Sequence, residues 1–398
     1  MLNNRLKISI ISDLMLDADL HKTREIEILR ALSKRGHNAT LVAVTSQGAS
    51  QIEHHGLTLF SIPIRYAPLI SHIVYTIFLF LFIPLHVLNK KPNLVIMDPH
   101  ISVISSIPTL LISKFLKTKF ILDVKSTPVE IKGINAKLAE FCFNISMVIA
   151  KKMFHSIEVV TPLMKNQISQ KFNLNPADVE VWTNGVPIDL FNPYTIGKSL
   201  ELRKQLGLEK KFIVFYHGVF SASRGLFETI AAIKKLNPNY PEIVFFMLGT
   251  GTITSNLSEH VQKLQIEQNI VFHPPVPYGE VPKYIALSDV CIVPLLNDSY
   301  WNFQSPLKLL EYLAMEKVVL ASDISAHRAV LDDKKCCIYI PSVNPVEIAK
   351  TIDLAYNNRN KLGEWGKIGR NIVEAKYTWD KIAKDVEESL GKLTGVNQ

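Results

Sequence analysis

The chain has 398 residues, 47% of them apolar, and a formal net charge of +8. That length exceeds one ordinary domain, so two are expected, and the apolar content excludes general disorder. The charge is uneven: residues 1–187 hold 20 Lys+Arg against 13 Asp+Glu, which points to an anionic partner for that half, either a membrane surface or a phosphorylated substrate. No basic stripe interleaved with aromatics supports nucleic-acid binding.

The opening MLNNRLKISIISD reads as a first strand with no signal-peptide pattern, so a cytoplasmic protein is expected. Strands follow at Ala39–Val44, Leu57–Pro63, Leu94–Asp98, Lys119–Val124, Ser156–Thr161 and Val179–Trp182. Helical periodicity fills His21–Arg35, Ser102–Leu116 and Ile134–Met153 between them. A second series of strands runs through Phe212–His217, Ile243–Leu248, Ile270–Phe272, Val290–Leu295, Val318–Ser322 and Cys337–Ile340. Alternation of this kind implies an α/β fold of two Rossmann-like domains with parallel sheets, joined within Pro187–Lys198. Trp379–Leu393 reads as a terminal amphipathic helix capped by Thr378.

Leu69–Leu88 is a run of twenty residues without formal charge, followed by Asn89-Lys90-Lys91. It is about long enough to span a bilayer. A buried core helix and a helix lying in the membrane interface fit it as well. The four cysteines show no metal-ligand spacing, and Cys291 and Cys337 read as core residues.

In parallel sheets, chemistry gathers at the carboxyl ends of strands, here most naturally in a cleft between two domains. Ser305–Asp323 reads as a loop, an amphipathic helix and a strand. Free N–H groups at that helix start, beside Lys308, suit a phosphate, and Glu311 one turn on suits ribose hydroxyls. Gly218, after its strand, lets the backbone approach a ligand, and Arg224 is placed to grip a pyrophosphate. Gly249 belongs to a second glycine turn, FMLGTGT, a weak signal alone. Asp123, Lys125 and Ser126 end another strand as acid–base or polar candidates or as a simple capping loop, and His100 ends a further one. Asp13, Asp17 and Asp19 resemble a metal cluster lacking partners. No P-loop, GxGxxG after the first strand, GxSxG or HExxH occurs, which disfavours NTPases, dinucleotide oxidoreductases and two hydrolase classes.

Taken in order, these segments resemble the GT-B glycosyltransferases of family 4 along nearly the whole chain. The carriers are Asn184-Gly185-Val186 with Asp189 and Phe191, Gly218 with Arg224-Gly225, and SPLK before Glu311-Tyr312-Leu313-Ala314 with Val318–Asp323. The resemblance implies an acceptor-binding domain over 1–187, a nucleotide-sugar-binding domain over 188–376 and a terminal helix, 377–398, crossing back. It implies that Arg224 and Lys308, with backbone N–H groups near Leu307, bind the diphosphate, that Glu311 binds the ribose, and that Gly218 leaves room for the phosphate. The implied reaction moves a sugar from a UDP- or GDP-sugar to a hydroxyl with retention, needing no bound metal, on a lipid-linked or cell-surface glycan precursor. The position where many relatives place a catalytic histidine falls near Lys125-Ser126, and Asp123, Lys125 and Glu311 are the catalytic residues expected. Phe303 stands where the first glutamate of the family's Glu-x7-Glu pattern falls, and Lys317 replaces a family glycine. Phe303, together with Asp17-Ala18-Asp19-Leu20 in place of the family's N-terminal glycine-rich loop, motivates an alternative, a catalytically degenerate GT-B partner or scaffold subunit; a sugar-nucleotide epimerase is a further reading.

Overall fold

A computed structural model of the chain describes residues 5–15, 24–45, 50–54, 57–63, 70–128, 134–331 and 334–395. It forms two compact units: Met1–Asn184 with Trp379–Gln398, and Gly185–Thr378.

Unit 1 holds eight strands: β1 (Lys7–Met15), β2 (Asn38–Thr45), β3 (Ser50–His54), β4 (Leu57–Pro63), β5 (Leu94–Met97), β6 (Lys119–Val124), β7 (Ser156–Val159) and β8 (Val179–Val181). Their order is β3-β4-β2-β1-β5-β6-β7-β8. Neighbours pair in parallel, except β3, which runs antiparallel to β4 at the edge. Unit 2 holds β9 (Phe212–His217), β10 (Ile243–Leu248), β11 (Ile270–His273), β12 (Val290–Val293), β13 (Val318–Ser322) and β14 (Cys337–Ile340), all parallel, in the order β11-β10-β9-β12-β13-β14. β10 and β13 are buried at every residue because helices cover both faces, which is why they read as unbroken apolar runs. Strand order reverses between β1 and β5 in unit 1, and between β9 and β12 in unit 2. The loops leaving those carboxyl ends are the natural ligand sites of such sheets.

The chain changes units at 184/185 and 378/379, rather than at 187/188 and 376/377. Pro187–Lys198 is not a free linker. The Val186 N–H donates to the Tyr377 carbonyl (2.8 Å), Val186 bridges Thr378, and Phe191 lies in the core of unit 2. Helix Trp379–Thr394 then joins unit 1: Trp379, Ile382, Ala383, Val386 and Leu390 are buried in the cluster that holds Ile26 and Leu29. Its Glu387 pairs with Arg35 and, at 2.9 Å, with His37 Nε2.

Leu69–Leu88 is largely helix Ile70–Lys90. Tyr75, Leu79, Ile83 and Val87 recur every four residues and are buried in unit 1. His86 Nε2 lies 2.9 Å from Ser9 Oγ, and Tyr75 Oη donates to the Ser12 carbonyl (2.7 Å). One face is thus core, while Ile77, Leu81 and Leu85 on the other are exposed. All four cysteines are free thiols; Cys291 and Cys336 are buried and Cys337 only partly so, because β14 is an edge strand.

Candidate active site

The richest site lies where β9, β10 and the segment before β13 end in unit 2. β9 finishes at His217, which pairs with Leu248 at the end of β10. The loops beyond run side by side: Gly218 N donates to the Leu248 carbonyl and Phe220 N to the Thr250 carbonyl, both at 2.9 Å. That closeness demands glycine. Gly249 has φ +146°, and a Cβ there would fall 2.1 Å from the Gly218 carbonyl oxygen. Gly218, at φ +121°, would place a Cβ 3.1 Å from Lys308 Nζ.

Helix Leu307–Ala314 follows the extended residue Pro306, with no side chain capping its start. The Leu309 N–H donates to the Pro306 carbonyl (3.0 Å), so the N–H groups of Leu307 and Lys308 lead the helix. The Lys308 ammonium sits over the Tyr216 ring, 4.0 Å from its centroid, against Gly218. The Arg224 guanidinium stacks on Trp301 at 4.8 Å, and its Nε donates to Ser221 Oγ (3.1 Å). Trp301 belongs to the short turn Trp301–Phe303 that leads into this helix, so both cations are held by one loop system.

Glu311 is buried, with each carboxylate oxygen engaged. Oε2 lies 2.9 Å from His217 Nε2, and Oε1 accepts from Tyr278 Oη at 2.8 Å. His217 N donates to Tyr312 Oη (3.0 Å), which leaves the phenol proton for His217 Nδ1, also at 3.0 Å. Nε2–H is then the donor to Glu311. Burial raises the Tyr312 pKa well above the usual phenol range and keeps it protonated. Burial would also raise Glu311, but the His217 and Tyr278 hydrogen bonds and the Lys308 charge outweigh it and leave the carboxyl below its ordinary value.

Five of the sequence candidates, Gly218, Gly249, Leu307, Lys308 and Glu311, therefore meet around one strand-end cluster, and Arg224 packs on the loop leading into it. His217, Tyr278 and Tyr312 join it unforeseen. His217 could have been read from its place at a strand end just before Gly218; Tyr278 lies 33 residues from Glu311 and has no local signature. Lys317, in place of a family glycine, donates to the Ala286 (2.9 Å) and Ser288 (2.6 Å) carbonyls and so ties down the end of helix Val281–Ala286.

Asp123 and Lys125 fall into a different cluster, at the ends of β5 and β6 in unit 1. Asp123 pairs with Arg24, whose other Nη donates to the Trp182 carbonyl (2.9 Å). Lys125 pairs with Glu25 and lies 2.6 Å from Asp98 Oδ1, while Ser12 Oγ donates to Asp98 Oδ2 (2.6 Å). Burial would lower the Lys125 pKa, but Asp98, Glu25 and Asp123 override it and drive the pKa far upward. A fixed cation of this kind cannot accept a proton near neutral pH, so an acid–base role for Lys125 does not fit this geometry. His100 opens the turn Ile101–Ser106, and its carbonyl accepts from Ser146 Oγ (2.7 Å). Asp17 and Asp19 lie outside the described residues. Among the described residues no group of three or more His, Cys, Asp or Glu is placed to hold a metal ion.

Comparison with known proteins bears on unit 2 first. Residues 198–372 match the family described as Glycosyl transferases group 1. Over those residues the chain is similar to a group 1 glycosyltransferase domain. The domain's strand-end cluster, from Gly218 to Glu311, lies wholly within the matched segment. The chain is 24% identical over 242 residues to a putative glycosyltransferase, YtcC, of Bacillus subtilis strain 168. That match covers 57% of this chain and 58% of the relative, so the chain spans less than two thirds of it. Among solved structures, sucrose-phosphate synthase from Thermosynechococcus elongatus superposes with a TM-score of 0.78 at 17% identity, covering 99% of this chain and 100% of that one. Anabaena Alr3699/HepE in complex with UDP and glucose gives 0.71 at 12% identity, covering 97% and 100%. At such identities the likeness is one of fold, and the fold is GT-B.

Proposed function

We propose that the chain is a retaining glycosyltransferase acting in the cytoplasm. It moves a sugar from a UDP- or GDP-sugar, bound by unit 2, to a hydroxyl of a lipid-linked or cell-surface glycan precursor, bound by unit 1. The observation that carries this reading is the pairing of Lys308, set against Gly218 beside a helix start, with Glu311 fixed as a carboxylate by His217 and Tyr278. A diphosphate lying on Gly218 would meet Lys308, Arg224 and the N–H groups of Leu307 and Lys308. As the bond from sugar C1 to the diphosphate oxygen breaks, negative charge grows on the leaving group, where these donors neutralise it. Glu311 accepts hydrogen bonds from the ribose hydroxyls through its remaining lone pairs. The acceptor oxygen then takes the vacated face of C1 and gives its proton to the departing diphosphate oxygen on that same face. Asp123 and Lys125 act in this reading as positioning charges that fix the loops after β5 and β6.

Thermal-shift screening against UDP- and GDP-sugars tests the donor half. Stabilisation by one donor, lost in Glu311→Ala and in Arg224→Ala, is expected. Anomeric coupling constants in the product's proton NMR spectrum test retention. Phe303 favours one rival, a degenerate scaffold subunit; no stabilisation by any donor would decide for it.

A further inference from the structure

We propose that unit 1 docks on an anionic lipid bilayer through the outer face of two neighbouring helices, Ile70–Lys90 and Ile107–Leu116, with a lysine edge against the headgroups. The first helix has no formally charged residue before Lys90. Its inner stripe is spent on the core, yet Ile73, Val74, Ile77, Phe78, Leu81, Leu85 and Leu88 face outward, Leu81 at 72% exposure. Helix Ile107–Leu116 packs against it and exposes Leu111, Ile112 and Phe115, the last at 88%. A helix with one face in the core ordinarily turns polar residues outward. Apolar side chains exposed together on adjacent helices mark a surface meant for a non-aqueous neighbour.

The charges beside this face say which neighbour. Both helices end beside the amino ends of the central strands β1, β5 and β6. Lys119 N donates to the Asn93 carbonyl (2.8 Å), Thr118 Oγ1 to the Pro92 carbonyl (2.8 Å), and Lys7 Nζ to the Lys90 carbonyl (3.5 Å). Lys7, Lys90, Lys91, Lys117 and Lys119 are thereby gathered, and among the described residues none is ion-paired to a carboxylate. A second copy of the chain would bring the same lysines and no complementary acid. An anionic bilayer supplies hydrocarbon for the helices and phosphates for the lysines. The helix lies along the surface and does not cross it, because Tyr75, Leu79, Ile83, Val87 and the Ser9–His86 contact hold it to the sheet. This inference is independent of which donor unit 2 binds.

The test is cosedimentation of the full chain with vesicles of phosphatidylcholine alone or mixed with phosphatidylglycerol. Binding to the mixed vesicles, weakened several-fold by raising the salt, is expected. The pair Leu81→Glu with Phe115→Glu should abolish it, and Lys90→Gln with Lys91→Gln and Lys117→Gln should weaken it several-fold. Both variants should keep the wild-type melting temperature and donor-induced thermal shift, which separates failure of docking from failure of the donor site. The proposal is overturned by absence of binding to anionic vesicles, or by binding indifferent to Leu81→Glu with Phe115→Glu. It is overturned equally by a dimer in sedimentation velocity that those substitutions dissociate, or by retention in cell membranes after alkaline carbonate extraction.

Discussion

Glu311 keeps its charge through the hydrogen bonds of His217 and Tyr278 and the nearby Lys308 charge, and this makes its titration a readout of the site. Because folding holds its pKa below the ordinary 4.5, its contribution to stability is complete above that value and is lost as pH falls through the lowered one. Tyr278→Phe deletes one of the two donors. We expect it to cost about 0.5–1.5 kcal/mol at pH 7 and to move the acid limb of the stability curve to higher pH, measured by urea midpoints across the acid range. Glu158 behaves oppositely. It is buried in β7, and desolvation, aided by Asp123 and Glu180 against the Ser156 hydrogen bond, lifts its pKa to about 8. The folded state therefore keeps a proton that the unfolded chain releases near 4.5, so this term is full below 4.5, erodes as pH rises towards 8, and is flat beyond. Glu158→Gln keeps an acceptor for Ser156 Oγ and should flatten that decline, stabilising the protein at pH 8.5 but not at pH 4. Equal midpoint shifts at both pH values would disprove this account.

At the scale of elements, the paired loops after β9 and β10 depend on a backbone approach that side chains forbid. Gly249→Ala would force a Cβ against the Gly218 carbonyl at a φ that L-residues rarely adopt. We expect a loss of about 1–3 kcal/mol and a rise in donor Kd exceeding that of Gly279→Ala, where a Cβ meets open space; isothermal titration of both variants would check it. The strands bearing these loops were legible because β9, β10 and β13 are continuous apolar runs, and the expected bounds of β4, β9, β10, β13 and β14 match those found. The strand β3, SQIEH, was not legible: it is short and polar, and only pairing with β4 makes it a strand. The cationic side of the site was equally readable, since Lys308 and the helix start carry a local pattern. Its acidic side was half hidden. Glu311 could be picked out, but its state is set by His217 and Tyr278, 94 and 33 residues away. Asp123 and Lys125 looked reactive for the converse reason, because the sequence does not show Arg24 and Glu25 folding back onto them.

The whole molecule is threaded asymmetrically, and that asymmetry predicts what each half can do alone. Unit 2 is one uninterrupted segment, Gly185–Thr378, whose ends are tied by the Val186–Thr378 bridge and the Val186–Tyr377 hydrogen bond. Unit 1 is discontinuous and takes its last helix from the far end of the chain. Removing residues 379–398 would uncover the apolar surface that Ile26, Leu29 and Leu32 share with Val386 and Leu390. Burial of each large apolar side chain there is worth about 1.5–3 kcal/mol. A fragment of residues 185–378 should therefore fold cooperatively and keep the full chain's thermal response to nucleotide, since Lys308, Arg224, Glu311, His217 and Tyr278 all lie inside it. The chain ending at Thr378 should instead show two transitions, that of unit 1 lowered by on the order of 10 °C and that of unit 2 unchanged, in differential scanning calorimetry. Supplying residues 379–398 as a peptide should raise the lowered transition alone. If the fragment folds but ignores every nucleotide that stabilises the full chain, the donor site draws on unit 1 as well, and its assignment to unit 2 fails.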